Sequence, residues 1–582
     1  MLRLLPPDSN EHVFHDPDDG VFEIQSHFLL LHIKSDIEDM LNKTPASLDP
    51  RRHHELEVFA NMYTKESALA DAWKKYSDLT RRKMIDWKNL KGLFRKGQLV
   101  VHRVLPNDWA VSKVTSVGSS TRSSDSELVV RLESIDNDGK GFRYVWSDRT
   151  FKPFPNERRI SELNVFPLDY HDDRESLEKM AIASGKRWKR LYEDMFNKAS
   201  RTIQIQVMEY DGYATRKEDK GPMTHVSSRV VVDPRIQAKR TDLSFIQDSR
   251  IPFVTENKDT EEPTNEQYLL CPATVLVHAL SDNELYHVPT KRLREANWCR
   301  DGWSRLVIDE DIKHQANHLL QLSRAREIQH AKGEDNGSYI SGGQGHDEDQ
   351  SIDNFRGKGR GLIFLLHGPP GVGKTLLAEC LSEEQRRPLY RVSLSNLTNY
   401  DERRIDKLFR EAHMWNAILL IDEAEVILAE RTMENMKQSA WVAVFLRKIE
   451  YFEGILFLTT NQIHFIDQAF ESRVTVGIRF PKMDRDQRVK VWQKLLEPPA
   501  KKLWGSDALI TTKERLGRWA DRELNGRHIH NVINSAQILT RGGDPRKPSE
   551  LIENCLDAVT GFMNMIKQEK EDERKSYLSN WY

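Results

Sequence analysis

A glycine-rich stretch in the C-terminal half of the chain has the residue types and spacing needed to hold a phosphate chain. It fits the pattern GxxxxGK followed by Ser or Thr, and its residues are Gly368, Pro369, Pro370, Gly371, Val372, Gly373, Lys374 and Thr375. Glycines let backbone N–H groups turn inward around phosphate oxygens, and the N-terminus of a following helix attracts the same anion. Lys374 is expected to reach the β- and γ-phosphates, the Thr375 hydroxyl to bind Mg²⁺, and Leu376 to complete the binding set.

Two adjacent carboxylates follow an apolar run later in the chain. Ile418–Ile421 predicts a buried strand, and Asp422 and Glu423 come directly after it. Such a strand delivers the acids to the same sheet edge as the phosphate-binding loop. Asp422 is predicted to hold Mg²⁺ through its water shell, and Glu423 to orient and deprotonate an attacking water. The alternative is that the two acids only cap the next helix.

A polar residue ends a third apolar run. Ile455–Thr460 predicts another strand, and Asn461 follows it directly. The amide of Asn461 can both donate and accept hydrogen bonds, so it could hold the lytic water near a γ-phosphate. The alternative is an ordinary turn residue. Together the three segments predict hydrolysis of a nucleoside triphosphate.

Short apolar runs that alternate with helical segments must position these residues. The runs are Leu362–Leu366, Leu389–Leu394, Ile418–Ile421, Ile455–Thr459 and Val474–Phe480. Strands alternating with helices are typical of an open parallel sheet covered by helices on both faces. Beyond Asp484 the pattern indicates helices only. The expected fold class is α/β, a P-loop NTPase sheet with a C-terminal helical lid, preceded by an α+β N-terminal domain.

The ordered set of these motifs resembles AAA+ ATPases over about residues 355–566. The sequence resembles a group of largely uncharacterised fungal AAA ATPases in three segments, 357–375, 444–461 and 470–474. Residues 144–171 are similar to the upstream domain of unknown function of that group. The resemblance implies magnesium-dependent ATP hydrolysis, with ATP as substrate and Mg²⁺ as cofactor. It also implies a homo-oligomer, expected to be a hexameric ring, that acts on a protein client.

The same resemblance implies roles for two arginines. Arg473 matches the position of an arginine finger, which reaches the nucleotide of a neighbouring subunit, and Arg527 matches a sensor that acts within its own subunit. Fixed positive charge aimed at the γ-phosphate stabilises the charge that develops during transfer. An ordinary surface salt bridge is the alternative for each. Many AAA relatives carry a second arginine near the finger, and this loop contains Arg473 alone.

The connection after the second strand of the ATPase sheet departs from AAA proteins that thread polypeptides. Those proteins carry an aromatic-hydrophobic-glycine loop there, whereas residues 395–403 contain no glycine and have Tyr400 as their single aromatic. The short loop is similar to that of the mitochondrial AAA chaperone for the Rieske protein, which handles a folded client. Three functions stay open: a remodeller of a protein client, a nucleotide-gated assembly scaffold, and a nucleic-acid motor or loader.

Composition limits these functions. The chain has 582 residues, and 87 Lys and Arg against 89 Asp and Glu leave a net charge of -2, which disfavours binding nucleic acid through overall positive charge. No apolar stretch is long enough to cross a membrane, and the N-terminus does not read as a signal or transit peptide. The four cysteines form no CxxC pair. We expect an intracellular protein, cytoplasmic or nuclear, without a membrane partner.

Composition shifts predict five regions. The N-terminal domain is expected to hold β-like runs and one long helix at about 174–199, and its tryptophans Trp146, Trp188, Trp298 and Trp303 are expected in a core. The sequence does not name its partner. The regions are 1–90, a partly ordered segment with a helical hairpin; 91–305, the α+β domain; 306–361, a helical segment and glycine-rich linker; 362–483, the ATPase core; and 484–582, the lid and tail.

Overall fold

The chain forms two compact units in a computed structural model. Met1–Ala279 and Glu284–Glu295 make up the first, which we call the N-terminal unit, and Leu280–Asn283 and Ala296–Tyr582 make up the second, the C-terminal unit. The residues whose structure is described are 13–15, 22–24, 67–105, 108–120, 127–138, 142–193, 205–216, 223–237, 244–251, 263–299, 302–318, 321, 361–393, 402–425, 436–462, 468–504 and 512–579.

Strands dominate the described part of the N-terminal unit. In chain order its elements are β1 (Val13–His15), β2 (Phe22–Ile24), α1 (Ser67–Arg81), β3 (Met84–Ile85), β4 (Leu99–Leu105), β5 (Asp108–Ser120), β6 (Glu127–Asn137), β7 (Phe142–Phe151), β8 (Arg158–Arg159), β9 (Val165–Pro167), α2 (Arg174–Glu193), β10 (Gln206–Arg216), β11 (Thr224–Val232), α3 (Pro234–Gln237), β12 (Ser244–Ile251), α4 (Asn265–Leu269), β13 (Thr274–Ala279), β14 (Leu285–Pro289) and β15 (Arg294–Glu295).

Two antiparallel sheets organise these strands. The first has six strands in the order β12-β7-β6-β5-β4-β9, and the second has five in the order β11-β13-β14-β10-β15. Helix α2 contributes to both cores: Leu177 packs against the first sheet, and Trp188 and Tyr192 pack against the second. Tyr76 of α1 joins the core of the first sheet, although it lies before the domain boundary expected at residue 91.

Alternation along one strand corrects an expectation about the tryptophans. Trp146 was expected in a core, but it lies on β7 with 38% of its surface exposed, whereas the preceding Val145 is fully buried. Successive side chains of a strand point to opposite faces, so only one of these neighbours can face the core. The Arg131 guanidinium lies 5.7 Å from the centre of the Trp146 ring. Trp188 is fully buried, as expected, and Trp298 and Trp303 are half-buried.

The C-terminal unit alternates strands and helices and then continues with helices. Its elements are α5 (Gly302–Arg305), β16 (Leu362–His367), α6 (Lys374–Gln385), β17 (Leu389–Ser393), α7 (Glu402–Met414), β18 (Ile418–Asp422), α8 (Met436–Glu450), β19 (Ile455–Thr460), α9 (Gln468–Glu471), β20 (Val476–Arg479), α10 (Arg485–Lys502), α11 (Lys513–Ala520), α12 (Gly526–Arg541) and α13 (Pro548–Ser579). Residues 310–318 are also helical.

A parallel five-stranded sheet forms the core of this unit. The strand order is β17-β18-β19-β16-β20, and every pairing is parallel. All residues of β19 are buried, which is expected for a central strand covered on both faces. The five predicted strands and the α/β fold class are therefore confirmed. Because the strands are parallel, the residues after β16, β18 and β19 come to the same edge.

Helices α10 to α13 form the lid, which has a core of its own. Trp492, Leu516, Ile529 and Leu551, one from each helix, are fully buried in one cluster. Two of the lid helices, α10 and α12, begin at side-chain caps: the Asp484 side chain accepts from the Gln487 N–H, and the Asn525 side chain accepts from the His528 N–H. The prediction of helices alone beyond Asp484 is confirmed for the residues that the structure describes.

A segment before the glycine-rich region also belongs to the ATPase core. Leu306 and Ala316 are buried in the same cluster as Phe364 of β16 and Leu377 of α6. Trp303, Ile308 and Ile312 pack against that cluster. The core thus takes in residues that precede the boundary expected at 362. Within the described parts of the chain, no helix combines the length and the apolar character needed to cross a membrane.

Candidate active site

The glycine-rich loop between β16 and α6 has a backbone that favours glycine. Gly371 and Gly373 have φ values of +76° and +104°, in the region that side chains with a Cβ rarely adopt. Gly368 has φ +148°, and a Cβ added to it would lie 2.2 Å from the Phe480 carbonyl oxygen. Helix α6 begins at Lys374, directly after Gly373. The loop therefore ends at a helix N-terminus, as anion binding requires.

Lys374 joins the loop to the strand end at Asn461. The Lys374 Nζ donates to the carbonyl oxygens of Gly368 at 2.7 Å and Pro369 at 2.9 Å, and to the Asn461 Oδ1 at 2.7 Å. The side chain is buried, and this burial lowers the pKa of Lys374 from its ordinary value. Two predicted site residues from separate motifs are thus in direct contact.

Asp422 lies at the carboxyl end of β18 among hydroxyl groups. The Thr375 hydroxyl is 3.3 Å from the Asp422 Oδ1 and 3.4 Å from the Oδ2, and the Thr459 hydroxyl donates to the Oδ1 at 2.5 Å. A hydroxyl beside a carboxylate supplies the hard oxygen atoms that Mg²⁺ prefers. Among the described residues no group of three or more His, Cys, Asp or Glu side chains forms a metal cluster. The donor set therefore suits a cation that takes its other ligands from phosphate and water.

Glu423 has an unusual backbone conformation. Its φ is +57°, in the left-handed region that non-glycine residues rarely occupy, and its N–H donates to the Thr459 hydroxyl at 3.1 Å. Such conformations cost about 1–3 kcal/mol and are often found at functional sites. The side chain is exposed to the cleft, so its carboxylate is accessible to water. The next acid along, Glu425, accepts from the Asn461 N–H at 2.7 Å.

A cleft of about 520 Å³ contains most of the predicted site. Predicted residues on its wall are Pro370, Gly371, Val372, Gly373, Lys374, Thr375, Leu376, Asp422, Glu423, Asn461 and Arg527. Gly368, Pro369 and Arg473 are not on this wall. The cleft thus brings together the loop, the paired acids, the polar sensor and the lid arginine.

The lid contacts the loop through the residues that start α12. The Gly526 N–H donates to the Gly371 carbonyl oxygen at 2.9 Å, and the Asn525 Nδ2 donates to the Pro370 carbonyl oxygen at 3.2 Å. A Cβ added to Gly371 would lie 2.6 Å from the Asn525 side chain, so only glycine fits there. Arg527 follows in the first turn of α12 and is exposed at the cleft.

Arg473 lies away from the cleft of its own chain. Its guanidinium donates to the Glu450 Oε2 at 3.0 Å and to the Ala469 carbonyl oxygen at 2.7 Å. This is an intramolecular salt bridge, the alternative that the sequence left open. The finger role stays a prediction, and it requires the guanidinium to leave Glu450 for the nucleotide of another subunit.

Several cleft residues were missed by sequence reasoning. Leu306 and Val307 precede the glycine-rich linker, and Met483 lies just before α10. Arg391 comes from β17, where its side chain donates to the Asp422 Oδ2 at 2.6 Å. Thr459 carries a usable signal, because a Thr-Thr-Asn run ends the predicted strand. The others have no local motif, since their approach depends on how distant segments pack. Tyr400 and most of the loop compared with threading proteins, residues 395–401, lie outside the described residues, while Glu402 and Arg403 begin α7.

Comparison with known families agrees with the two-unit division. The model for the "ATPase family associated with various cellular activities (AAA)" matches residues 364–482. The model for a "Domain of unknown function (DUF7025)" matches residues 75–172, which run from α1 through every strand of the first sheet of the N-terminal unit except β12. The predicted resemblance to AAA ATPases with an upstream domain of unknown function is confirmed.

Curated relatives match the chain only in part. The Arabidopsis thaliana "ATPase family AAA domain-containing protein FIGL1" is 29% identical over 24% of this chain and 22% of its own length. A "Putative 26S proteasome regulatory subunit homolog" from Methanothermobacter thermautotrophicus is 29% identical over 29% of this chain and 49% of its own. Spastin from Drosophila grimshawi is 30% identical over 27% and 21%. The chain thus spans at most about half the length of these relatives.

The AAA domain of FIGL-1 in complex with ADP is a solved structure that resembles part of the chain. The match covers 35% of this chain and 77% of that chain at 18% identity, with a TM-score of 0.27. The chain combines a DUF7025 domain with an ATPase domain of the AAA family.

Proposed function

We propose that this protein hydrolyses ATP in a magnesium-dependent reaction at the cleft of the C-terminal unit. The contact that carries the proposal is the hydrogen bond from the Lys374 Nζ to the Asn461 Oδ1, at 2.7 Å. It joins the phosphate-binding loop to the end of β19, which is the direct neighbour of β18, the strand that ends with the paired acids. A lysine, an amide and a carboxylate at one edge of a sheet form the constellation that triphosphate hydrolysis needs.

Each residue of the site has a role that follows from its position. Lys374 and the N–H groups of the loop bind the phosphates, while Thr375 and Asp422 hold Mg²⁺. When bound, Mg²⁺ supplies positive charge that neutralises the charge developing on the phosphates. Glu423 deprotonates the attacking water, and Asn461 orients it. Arg527, at the start of α12, adds positive charge from the lid.

A shared site between subunits accounts for the position of Arg473. Its guanidinium bonds to Glu450 and does not line the cleft of its own chain. If it acts on ATP, it must reach the nucleotide of a neighbouring subunit, so we propose that the protein works as a homo-oligomer, a hexameric ring. An arginine placed in this way contributes about 10³–10⁵ in rate.

The cycle is proposed to remodel a protein client inside the cell. The relatives include an AAA domain-containing ATPase and a homolog of a proteasome regulatory subunit, and the overall charge of -2 gives no general attraction to nucleic acid. Within a protein-directed role, a nucleotide-gated scaffold is the second candidate. The two differ in whether turnover or ATP binding alone gives full activity.

Capture of the client by a hydrolysis-deficient variant tests this role. Glu423→Gln leaves the phosphate-binding contacts in place, so it should retain ATP and hold the client through purification. A Lys374→Ala, Glu423→Gln double variant is the matched control, because it should lose both. If ATP binding alone gives full activity and turnover adds nothing, the scaffold replaces the remodeller. If DNA or RNA stimulates ATP hydrolysis in a salt-sensitive way, both protein-directed roles are wrong.

A further inference from the structure

Arg391 occupies a position on the wall of the cleft that neither the motifs nor the proposed reaction uses. It lies on β17, the edge strand of the parallel sheet, where Tyr390 and Val392 on either side are buried and the Arg391 side chain is half-exposed. Strand alternation therefore turns its guanidinium away from the core. In the parallel register Arg391 pairs with Leu420, two residues before Asp422, so its long side chain reaches forward to the strand end.

The guanidinium makes a close ion pair with the carboxylate that is proposed to hold the metal. The Arg391 Nη2 donates to the Asp422 Oδ2 at 2.6 Å. The other oxygen of Asp422 accepts from Thr459 at 2.5 Å, and the Thr375 hydroxyl lies within 3.4 Å of both oxygens. Both oxygens are thus already engaged by this chain. A cation that uses Asp422 must compete with a fixed positive charge for the Oδ2.

A second carboxylate lies within reach of the same guanidinium. The Glu379 Oε1 on α6 is 3.9 Å from the Arg391 Nη1 and lines the same cleft. This contact is longer than the pair with Asp422, so the structure shows one strong and one weak partner for a single arginine. Both carboxylates therefore lie within reach of one half-exposed guanidinium, and Glu379 is available as its partner when Arg391 leaves Asp422.

We propose that Arg391 is a positioning residue that holds Asp422 and sets the affinity of the nucleotide site for a divalent cation, with Glu379 as its alternative partner. The inference rests on the proposed function, because it concerns the metal that accompanies the nucleotide. Binding of the cation transfers the guanidinium from Asp422 to Glu379. The charge in the cleft stays balanced, since each state pairs one carboxylate with Arg391.

Mn²⁺ binding to the ADP-bound protein tests the proposal without turnover. Mn²⁺ is the probe, free Mn²⁺ is read by electron paramagnetic resonance, and full-length protein is used throughout. Arg391→Gln should bind Mn²⁺ about five-fold more tightly than wild type, the size expected for losing a half-exposed ion pair. Arg391→Lys, which keeps the charge but loses the planar fork, should fall between them. Equal affinity in wild type and Arg391→Gln, or weaker affinity in the variant, overturns the proposal.

Glu379→Gln separates the exchange of partners from a direct effect on the cation. In the wild-type background it should weaken Mn²⁺ binding about two- to three-fold, because Arg391 then has no second carboxylate to pair with when it leaves Asp422. In the Arg391→Gln background it should change nothing. If Glu379→Gln weakens Mn²⁺ binding equally in both backgrounds, Glu379 acts on the cation itself and its proposed role is wrong.

Two controls keep this inference distinct from the proposed function. Arg479→Gln removes the same charge from the exposed end of β20, outside the cleft wall. This variant should leave the affinity for Mn²⁺ within about two-fold of wild type. In EDTA, Arg391→Gln should bind ADP no more tightly than wild type, since the gain requires the cation. If wild type binds neither ADP nor Mn²⁺, the proposed function fails. If it binds both and Arg391→Gln has no effect, only the role of Arg391 fails.

Discussion

The two units of this protein place polar side chains in different ways. In the C-terminal unit, Lys374, Asp422 and Asn461 meet beside a cleft at the carboxyl edge of a parallel sheet. In the N-terminal unit, His102 and His278 are buried within antiparallel strands. Side chains of the first kind face a space that a ligand can enter, whereas those of the second kind face a core.

The difference lies in how the strands end. In a parallel sheet every connection crosses over a face, so the residues after several strands collect at one edge and are free to bind a ligand. In an antiparallel sheet successive strands end at opposite edges, and mid-strand polar groups are enclosed by packing. The comparison predicts that replacing the polar side chains at the cleft of the C-terminal unit changes ATP binding or hydrolysis. Replacing the buried histidines of the N-terminal unit should change the free energy of unfolding.

The largest effect is expected from Arg473. If it serves the site of a neighbouring subunit, Arg473→Ala should lower the rate of ATP hydrolysis by about 10³-fold or more. Phosphate release from mixtures with Lys374→Ala subunits should exceed that of either variant alone, because each then supplies what the other lacks. Arg479→Ala is the matched control and should stay near wild type. Mixtures without any rescue, together with an active monomeric Arg473→Ala protein, would contradict a shared site.

A somewhat smaller effect is expected from Glu423. Loss of a general base lowers kcat by about 10²–10⁴-fold, so Glu423→Gln should reduce kcat while KM for ATP changes little. Glutamine keeps the size of the side chain and places no new demand on the left-handed backbone at this position. Steady-state kinetics with Glu384→Gln, an exposed position on α6, provides the control. A variant with unchanged kcat would show that Glu423 is not the base.

In the N-terminal unit the corresponding effect is on stability. Burial, with a smaller contribution from Arg149, lowers the pKa of His102 from 6.5 to about 3. The unfolded chain therefore binds one more proton between these values, and stability is full above pH 6.5 and falls as pH decreases through this window. The loss is about 1.4 kcal/mol per pH unit.

His102→Gln removes this titration and should flatten the pH dependence. Urea denaturation followed by tryptophan fluorescence at about pH 5 and about pH 7 should show a loss in wild type that exceeds that of the variant by about 2 kcal/mol. ADP binding near pH 7 should be the same in both proteins, because His102 lies outside the C-terminal unit. An identical pH dependence in the two proteins would mean that His102 does not titrate on unfolding.

The smallest predicted effect separates a structural cap from a contact with the site. Asn525 and Asp484 each cap a lid helix, and only Asn525 also donates to the Pro370 carbonyl oxygen. Alanine at either position should cost about 1 kcal/mol of stability. Asn525→Ala should in addition weaken ADP binding by about five-fold, the equivalent of one hydrogen bond. Equal ADP affinity in the two variants would mean that the lid contact does not support the loop.

Most residues of the candidate site could be predicted from local motifs, because they lie in short contiguous segments. The loop at 368–375 and the strands ending at Asp422 and Asn461 each contain their own signal, and parallel pairing brings the segments together. The pair between Arg391 and Asp422 has no such signal, since it depends on the register of two strands that sequence does not fix. Leu306 lies at the cleft because it packs against residues that follow the glycine-rich linker in the sequence. No local pattern predicts this contact.

The N-terminal unit was less predictable for a related reason. Alternation within β7 decides that Val145 is buried and Trp146 exposed, whereas Trp146 was expected in a core. Strand β7 lacks the long apolar run that would predict a strand. Pairing with β6 along its whole length holds it in the sheet instead. In both units, the features missed depend on contacts between segments that are distant in the chain.

Phosphate release by full-length protein with ATP and Mg²⁺ is the most direct test of the central claim. Lys374 binds the loop carbonyls and Asn461, so Lys374→Ala should lower release by about 10²-fold or more. Lys490→Ala, on the exposed side of α10, should release phosphate at the wild-type rate. A wild-type protein that releases no phosphate, or a Lys374→Ala variant that matches it, would contradict the assignment of the cleft as an ATPase site.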